Sequence, residues 1–311
     1  MLSEQELAAV RQFGRDSVGR VPAKLTETRV RVAANPDVEL FVAQSAGPAD
    51  RALLVIHGGP DWDHTYLREP LLHIGDQHQL VLPDLRGCGR STTGLAPHQY
   101  TPDAAVADLI ALLDALGLRT ADVLGFSYGG LLAQRLALSA PERIRRLIIA
   151  SSSAYPVPSD AFADWPERAE RRAAETAVWA DPQLSGPAKV RAAAVAGASS
   201  NVWQPALRRT YLDRLGRVHF TAEWLQPWRA GILPEARPAD AIDRLADSGV
   251  PVLILHGRYD MIFPCSLAAK AGKALPGAAV VILDDAGHMA HVDQPDRWLA
   301  AIARFLMGPA G

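Results

Sequence analysis

Short apolar segments recur along the chain and alternate with stretches whose apolar residues have a helical period. Two early segments, TRVRVAA and VELFVAQ, predict a pair of strands. The later segments are continuous apolar runs, as expected for strands buried on both faces of a parallel sheet. They are RALLVIHGG, HQLVLPD, ADVLGFS, IRRLIIASSS, VPVLILHGR and AAVVILDDAGH. Helical segments between them include DAAVADLIALLDALGL, YGGLLAQRLALSAP and SLAAKAGKALPG. This alternation predicts a doubly wound, mostly parallel α/β sheet.

The alternation stops between about residues 153 and 238, where the pattern is helical and rich in aromatic residues and arginine. The strand pattern resumes only at Val250. We therefore predict a helical cap inserted over the edge of the sheet. The cap (153–238) divides the core into a first part, 1–152, with a helix at its N-terminus, and a second part, 239–311. For most of the cap tryptophans, packing onto the core is the favoured role.

Composition narrows the possible partners. The 311 residues are 49% hydrophobic, with a formal net charge of −2, so neither nucleic acid nor an anionic membrane is an expected partner. The first twenty residues lack the apolar segment of a secretory signal, and no apolar run approaches the length of a membrane span. The two cysteines, Cys88 and Cys265, lack metal-ligand spacing and suit a reducing compartment. We expect a soluble, cytoplasmic protein.

The sequence GFSYG, residues 125–129, places a serine between a buried strand and a helix. A serine at this point can simply cap the helix N-terminus. In the G-x-S-x-G pattern, however, the serine sits on a tight strand-to-helix turn that requires small neighbours, and its hydroxyl projects above the sheet. Ser127 is therefore a candidate nucleophile, and its partners must decide between the two interpretations.

A serine nucleophile needs a base within hydrogen-bond reach and a carboxylate that orients the base. After the cap, VPVLILHGRYD ends in Asp260 and AAVVILDDAGH ends in His288, each just beyond a buried strand. The chain order serine, acid, histidine is the one expected on this kind of sheet. We predict that Ser127, Asp260 and His288 form a catalytic triad.

Other titratable residues near these strands are weaker candidates. Asp284 and Asp285 are expected to cap or solvate the turn before His288. For His291, a surface or packing role is favoured over a metal pair with His288, since no nearby carboxylate or cysteine completes a site. His57 and His256, each in an HG dipeptide after a strand, are predicted to be structural, because neither has an acid placed to orient it.

The glycine-containing loop after the strand RALLVIHGG offers backbone amides to a developing oxyanion. We predict the N–H groups of Gly59 and Tyr128 as the two donors. The segment DLRGCGRS, in contrast, is interpreted as a structural turn in which Asp84 and Arg86 bond to backbone groups and to each other. Since the sequence contains no dinucleotide fingerprint, P-loop or metal-ligand spacing, we expect neither cofactor nor metal.

The motifs HGGP, DLRGCGRS, GFSYGG, GRYD and GHMAH occur in this order and together resemble the α/β-hydrolase superfamily over essentially the whole chain. HGGP followed by DHTYL and DLRGCGRS is most similar to the proline iminopeptidase group of serine peptidases. The resemblance implies Ser127 as nucleophile, Asp260 as acid and His288 as base, with Gly59 and Tyr128 as oxyanion donors. Dehalogenases and epoxide hydrolases of the superfamily use a carboxylate as nucleophile, so Ser127 argues against both.

Two positions depart from the iminopeptidase pattern. Asp61 replaces the last glycine of HGGPG, and Met261 follows Asp260 where some members carry an acid that binds the substrate's amino group. Glu223 and Glu235 in the cap, or Asp61 itself, remain as candidate partners for an ammonium.

Three functions follow from these observations. The first is hydrolysis of an ester or lactone of an apolar small molecule, with Trp203, Trp224, Trp228, Asp61 and Met261 as candidate substrate contacts. The second is an aminopeptidase that removes N-terminal residues from short peptides or aminoacyl amides. The third, a non-catalytic relative that binds a ligand, is disfavoured because all three predicted triad residues are present.

Overall fold

The computed structural model describes residues 22–308, and the helix predicted near the N-terminus lies outside them. Its central feature is an eight-stranded sheet with the order β1-β2-β4-β3-β5-β6-β7-β8. The strands are β1 (Leu25–Ala34), β2 (Asp37–Ser45), β3 (Leu53–Ile56), β4 (Leu80–Pro83), β5 (Ala121–Phe126), β6 (Ile144–Ala150), β7 (Val252–Gly257) and β8 (Ala279–Leu283). Strand β2 is antiparallel to both of its neighbours, and all the other pairs are parallel. The prediction of a mostly parallel sheet is confirmed.

Twelve α-helices surround or extend from the sheet within residues 22–308. They are α1 (Arg68–Leu71), α2 (Pro102–Ala115), α3 (Tyr128–Ser139), α4 (Pro166–Ala180), α5 (Gly186–Ala196), α6 (Ala198–Asn201), α7 (Arg208–Leu215), α8 (Leu225–Arg229), α9 (Ala241–Ser248), α10 (Cys265–Ala274), α11 (Ala290–Asp293) and α12 (Pro295–Met307). Every helix in this part of the chain is too short or too polar to cross a bilayer.

The core lies on both faces of the sheet, which explains why the central strands are apolar without alternation. Successive residues of a strand point to opposite faces. Val123 and Ile149 pack with α2 and α3 on one face, whereas Leu124 and Ile148 pack with α12 on the other. The strands therefore have helices on both sides, as a doubly wound arrangement requires.

Helices α4 to α8 lie between β6 and β7, where no strand occurs among the described residues. We call residues 153–238 the helical insertion.

Asp61, in the loop after β3, connects the core to the helical insertion through hydrogen bonds. One carboxylate oxygen accepts from the amide of Trp224 and the other from that of Leu225, both at 2.9 Å. The backbone carbonyl of Asp61 also accepts from the amide of Thr221.

The segment DLRGCGRS is a structural turn, but the predicted contact between Asp84 and Arg86 is wrong. Asp84 accepts from the ring Nδ1 of His64 at 2.6 Å and from the amide of Arg90 at 2.9 Å. Arg86 instead forms two bonds of 2.6 Å to the carboxylate of Asp108 on α2. A bidentate bond of this kind fits the planar guanidinium better than a contact within a tight turn.

Candidate active site

Ser127 stands at the junction of β5 and α3 in a strained backbone conformation, with φ 55° and ψ −121°. A non-glycine residue at such an angle is uncommon and persists only when its surroundings impose it. The serine side chain forms no capping bond with α3. The interpretation of Ser127 as an ordinary helix cap is therefore wrong.

The glycines around Ser127 make this turn possible. A Cβ on Gly129 would meet the backbone carbonyls of Ile56 and His57, and one on Gly125 would meet the carbonyl of Gly129. The small residues let α3 start directly against strands β3 and β5. This close approach fixes the serine hydroxyl at the carboxyl edge of the sheet.

A continuous hydrogen-bond chain joins the three residues that the sequence predicts as a triad. The Oγ of Ser127 lies 3.0 Å from Nε2 of His288, and Nδ1 of the same ring lies 2.9 Å from Oδ2 of Asp260. The residues come from loops after β5, β7 and β8, which run parallel to one another in the β5–β6–β7–β8 part of the sheet. Their carboxyl ends therefore meet at one edge.

The carboxylate of Asp260 is fully buried and well supplied with donors. Its Oδ1 accepts from the amides of Ile262 at 2.7 Å and Phe263 at 2.9 Å. Burial acts to raise the pKa of Asp260, but the charge and hydrogen bond of His288, with further donors, outweigh burial and hold that pKa below its ordinary value. The carboxyl group is therefore ionised when His288 needs a counter-charge.

His256 has a position that the sequence analysis did not foresee. Its Nε2 lies 2.8 Å from the carbonyl oxygen of Phe263 and 3.3 Å from Oδ2 of Asp260. The inference that no acid lies beside His256 is thus wrong, because the turn after β7 folds Asp260 back over the end of its own strand. Burial holds the pKa of His256 below its ordinary value, so the ring is neutral.

Three of the remaining candidates, His57, His291 and Asp284, have structural contacts. His57 accepts from the amide of Leu85 at 3.0 Å, and His291 is buried against the rings of Tyr66 and Phe126. Asp284 pairs with Arg258 at 2.5 Å. The described residues hold no cluster of three or more His, Cys, Asp or Glu side chains suited to a metal ion.

The two predicted oxyanion donors both adjoin the serine. Tyr128 is the first residue of α3, and the first amides of a helix have no acceptor within it. Gly59 follows Gly58, whose Cβ position would lie 2.9 Å from that of Ser127, and has a φ of 116°. Within residues 22–308, neither the Gly59 nor the Tyr128 amide donates to a protein acceptor, whereas the Gly58 amide donates to the Tyr66 hydroxyl at 2.8 Å.

A cavity of about 570 Å³ opens beside Ser127, between the core and the helical insertion. Much of its wall is apolar or aromatic. The described residues that line it include Trp62, Phe126, Trp179, Val190, Ala193, Ala194, Trp224, Leu225, Trp228, Leu233, Ile262 and Met289, together with Gly59, Tyr128 and His288. A cavity with mostly apolar walls and a few polar groups is typical of a small-molecule site.

Three of the five predicted substrate contacts line this cavity, namely Asp61, Trp224 and Trp228. Trp203 and Met261 are absent from the described lining. Trp203 stacks on Tyr259 with ring centroids 3.8 Å apart. Met261 is fully buried, and the next residue, Ile262, lines the cavity instead.

The two glutamates considered for an ammonium lie elsewhere. Glu223 accepts from the hydroxyl of Tyr100 at 2.5 Å and the amide of Gly94 at 3.1 Å. Glu235 is exposed and pairs with Arg237. The acidic residue of the insertion that does line the cavity is Glu175, paired with Arg172 on α4 at 3.1 Å. Sequence reasoning missed both residues, although positions 172, 175 and 179 share one face of a helix.

A family model described as the alpha/beta hydrolase fold matches residues 51–295, which is most of the chain. The chain belongs to the α/β-hydrolase family. Its fold and the resemblance stated from its motifs are thereby confirmed.

Individual α/β-hydrolases resemble the chain over most of its length. A cis-3-alkyl-4-alkyloxetan-2-one decarboxylase of Xanthomonas campestris pv. campestris is 28% identical over 87% of this chain and 94% of its own. The structure of a thermophilic esterase from Thermogutta terrifontis is 26% identical, with a TM-score of 0.66 over 90% of this chain and 98% of that one. A proline iminopeptidase-related protein from Thermus thermophilus is 23% identical, with a TM-score of 0.66 over 91% and 97%, and shares the fold.

Proposed function

We propose that this α/β-hydrolase is a serine hydrolase that cleaves an ester or lactone of an apolar small molecule. The observation that carries the proposal is the hydrogen-bond chain from Ser127 through His288 to Asp260, with distances of 3.0 and 2.9 Å, beside the apolar cavity. A nucleophile, base and orienting acid in this relation are the side chains that acyl transfer by a serine requires.

In the proposed mechanism, Oγ of Ser127 attacks the substrate carbonyl carbon while Nε2 of His288 takes the hydroxyl proton. Ionised Asp260 holds Nδ1–H and stabilises the imidazolium. The amides of Gly59 and Tyr128 donate to the oxyanion of the tetrahedral intermediate. When the intermediate collapses, the leaving alkoxide takes the proton from His288, and the acyl group remains on Ser127.

Deacylation repeats these steps with water as the nucleophile. His288 removes a proton from the water, which attacks the acyl carbonyl, and the proton then returns to Ser127 as the acid product leaves. In this proposal, the core comprises residues 1–152 and 239–311, and the helical insertion is a cap over the cavity. Asp61, Trp224 and Trp228 then lie beside the bound substrate.

Three observations support an ester rather than a peptide. The cavity wall is largely aromatic and aliphatic. Glu223 and Glu235 are engaged away from it. The Xanthomonas relative is named as a decarboxylase whose substrate, an oxetan-2-one, is a cyclic ester, and the Thermogutta structure is that of an esterase.

An aminopeptidase is the second candidate, because two carboxylates, Asp61 and Glu175, do line the cavity. Both oxygens of Asp61 already accept from backbone amides, and Glu175 is paired with Arg172. An ammonium would therefore compete with the backbone amides at Asp61 and with the guanidinium of Arg172 at Glu175.

Matched substrates separate the two functions. We expect the p-nitrophenyl ester of an N-acetyl amino acid to be turned over faster than the p-nitroanilide of the same acid, and acetylation of the amine not to reduce turnover. The kcat/KM values of free and acetylated alanine and proline derivatives measure this. A strict requirement for a free amine, lost in Glu175→Gln, would contradict the ester proposal and favour the aminopeptidase.

A further inference from the structure

Arg172 and Glu175 place an ion pair in an otherwise largely apolar part of the cavity wall. Both residues lie on α4, and Nη2 of Arg172 is 3.1 Å from Oε2 of Glu175. Their side chains retain 22% and 15% exposure, respectively. Trp179 and Trp228 stand beside them in the wall, with ring centroids 6.5 Å apart.

The pair has hydrogen-bonding capacity that the described protein does not use. Nη1 of Arg172 and Oε2 of Glu175 are buried and make no hydrogen bond with any described residue, although Oε2 is in ionic contact with Nη2. The other oxygen of Glu175 has only a long bond, 3.5 Å, from the indole of Trp179. Buried polar groups are normally hydrogen-bonded, so we expect each of these atoms to bond to a group of a bound ligand.

The charges determine which partner fits. Because the guanidinium and carboxylate are adjacent, their charges nearly cancel for a ligand group at the pair. A carboxylate attracted by Arg172 is repelled by Glu175, and an ammonium experiences the reverse. Either ion would also lose its hydration in an apolar cavity, which is costly. A neutral group with an acceptor beside a donor satisfies both residues without that cost.

We propose that Arg172 and Glu175 bind an uncharged amide or hydroxyl group at the far end of the substrate's acyl chain. The carbonyl or hydroxyl oxygen accepts from Arg172, and the N–H or O–H donates to Glu175. This inference rests on the proposed hydrolase function, because it defines the substrate class of that same site. The preferred substrate is then an apolar ester or lactone with a neutral polar end.

Four p-nitrophenyl esters of equal chain length test the proposal, ending in an amide, a methyl, a carboxylate or an ammonium group. We expect the wild-type enzyme to have its highest kcat/KM with the amide. In an Arg172→Met/Glu175→Met double variant, the amide-to-methyl ratio should fall about tenfold or more, since two hydrogen bonds to charged groups are lost. Glu175→Gln should shift preference towards the carboxylate, and Arg172→Gln towards the ammonium.

Arg171→Met is the matched control, because Arg171 lies on the same helix but stacks over Trp203, outside the described cavity lining. It should leave the order of the four esters unchanged. The same four esters are titrated by calorimetry against Ser127→Ala, so that binding is measured even if the wild-type protein hydrolyses none of them. Absence of turnover contradicts the proposed function. The two methionine substitutions are then added to Ser127→Ala and the titrations repeated. If they leave the ratio of the affinities for the amide and methyl esters unchanged, the proposal for Arg172 and Glu175 is overturned.

Discussion

Asp260, Asp284 and Asp285 follow the strands that lead to the candidate site, and their contacts differ. Asp260 lies 2.9 Å from His288, whereas Asp284 pairs with Arg258. Asp260→Asn should lower turnover of an ester about 10⁴-fold, because the amide favours the wrong tautomer of the imidazole. Steady-state kinetics with a p-nitrophenyl ester measure the loss.

Asp284→Asn and Asp285→Asn are the controls for that experiment and should retain most of the activity. If either change were more damaging than Asp260→Asn, the proposed acid would be wrong. A circular dichroism spectrum of each variant separates loss of chemistry from loss of fold.

The side chains at the site were only partly predictable from the sequence. Ser127, Asp260 and His288 could be proposed because each lies just after an apolar strand segment, and the carboxyl ends of parallel strands meet. The prediction that the last of these strands is buried was wrong, because β8 lies at the edge of the sheet and only its last residue, Leu283, is buried. No comparable rule predicts from the sequence which side chains of the helical insertion face the cavity. Trp203 turns away to stack on Tyr259, while Arg172 and Glu175, among many charged residues of the insertion, face the cavity.

The junction of β5 and α3 depends on Gly129, whose Cβ position is occupied by backbone carbonyls of Ile56 and His57. Backbone cannot move aside as a flexible side chain can. Gly129→Ala should therefore reduce the free energy of unfolding by about 1–3 kcal/mol or more and displace Ser127. Urea unfolding and ester turnover measure the two effects.

Gly216→Ala is the matched control, because a Cβ there meets its nearest neighbour, the carbonyl of Asp213, at 3.3 Å. Because this contact is relieved by a much smaller shift than the closer approach at Gly129, Gly216→Ala should lower stability and turnover less than Gly129→Ala. Equal stability of the two variants would contradict the close packing of α3 against β3.

Asp61, which joins the loop after β3 to the start of α8, should make the free energy of unfolding depend on pH. Burial, opposed by hydrogen bonds from Trp224, Leu225 and Thr221, raises the pKa of Asp61 from its ordinary 3.8 to about 6. Between these two values the folded protein keeps a proton that the unfolded chain releases. The free energy of unfolding should therefore fall as pH rises through about 4 to 6 and level off above, by up to about 3 kcal/mol.

Urea unfolding of the wild type and Asp61→Asn from pH 4 to 8 tests this dependence. As pH rises from about 4 to 6, the free energy of unfolding of the wild type should fall relative to that of Asp61→Asn. Asp50→Asn, at an exposed position, is the control for an aspartate-to-asparagine change away from this contact. A wild-type-to-variant difference that is constant with pH would contradict a raised pKa at Asp61.

The arrangement of the whole sheet followed from the sequence more completely than the site did. Continuous apolar strands alternating with helices predict two covered faces, and the sequence pattern of strands stops between about residues 153 and 238. The shape of the cavity was not predictable, because it depends on how α4, α5 and α8 pack over the core. That packing is set by contacts far apart in the chain, such as Asp61 with Trp224 and Leu225.

Covalent labelling with a fluorophosphonate tests the central claim most directly. The reagent reacts with an activated serine, so peptide mass spectrometry of the native protein should find one adduct, on Ser127, and ester turnover should be lost in proportion to labelling. Ser127→Ala should take up no label and have almost no activity, with a loss of roughly 10⁴-fold or more. An adduct on another serine, or near wild-type turnover by Ser127→Ala, would contradict a serine hydrolase mechanism at this site.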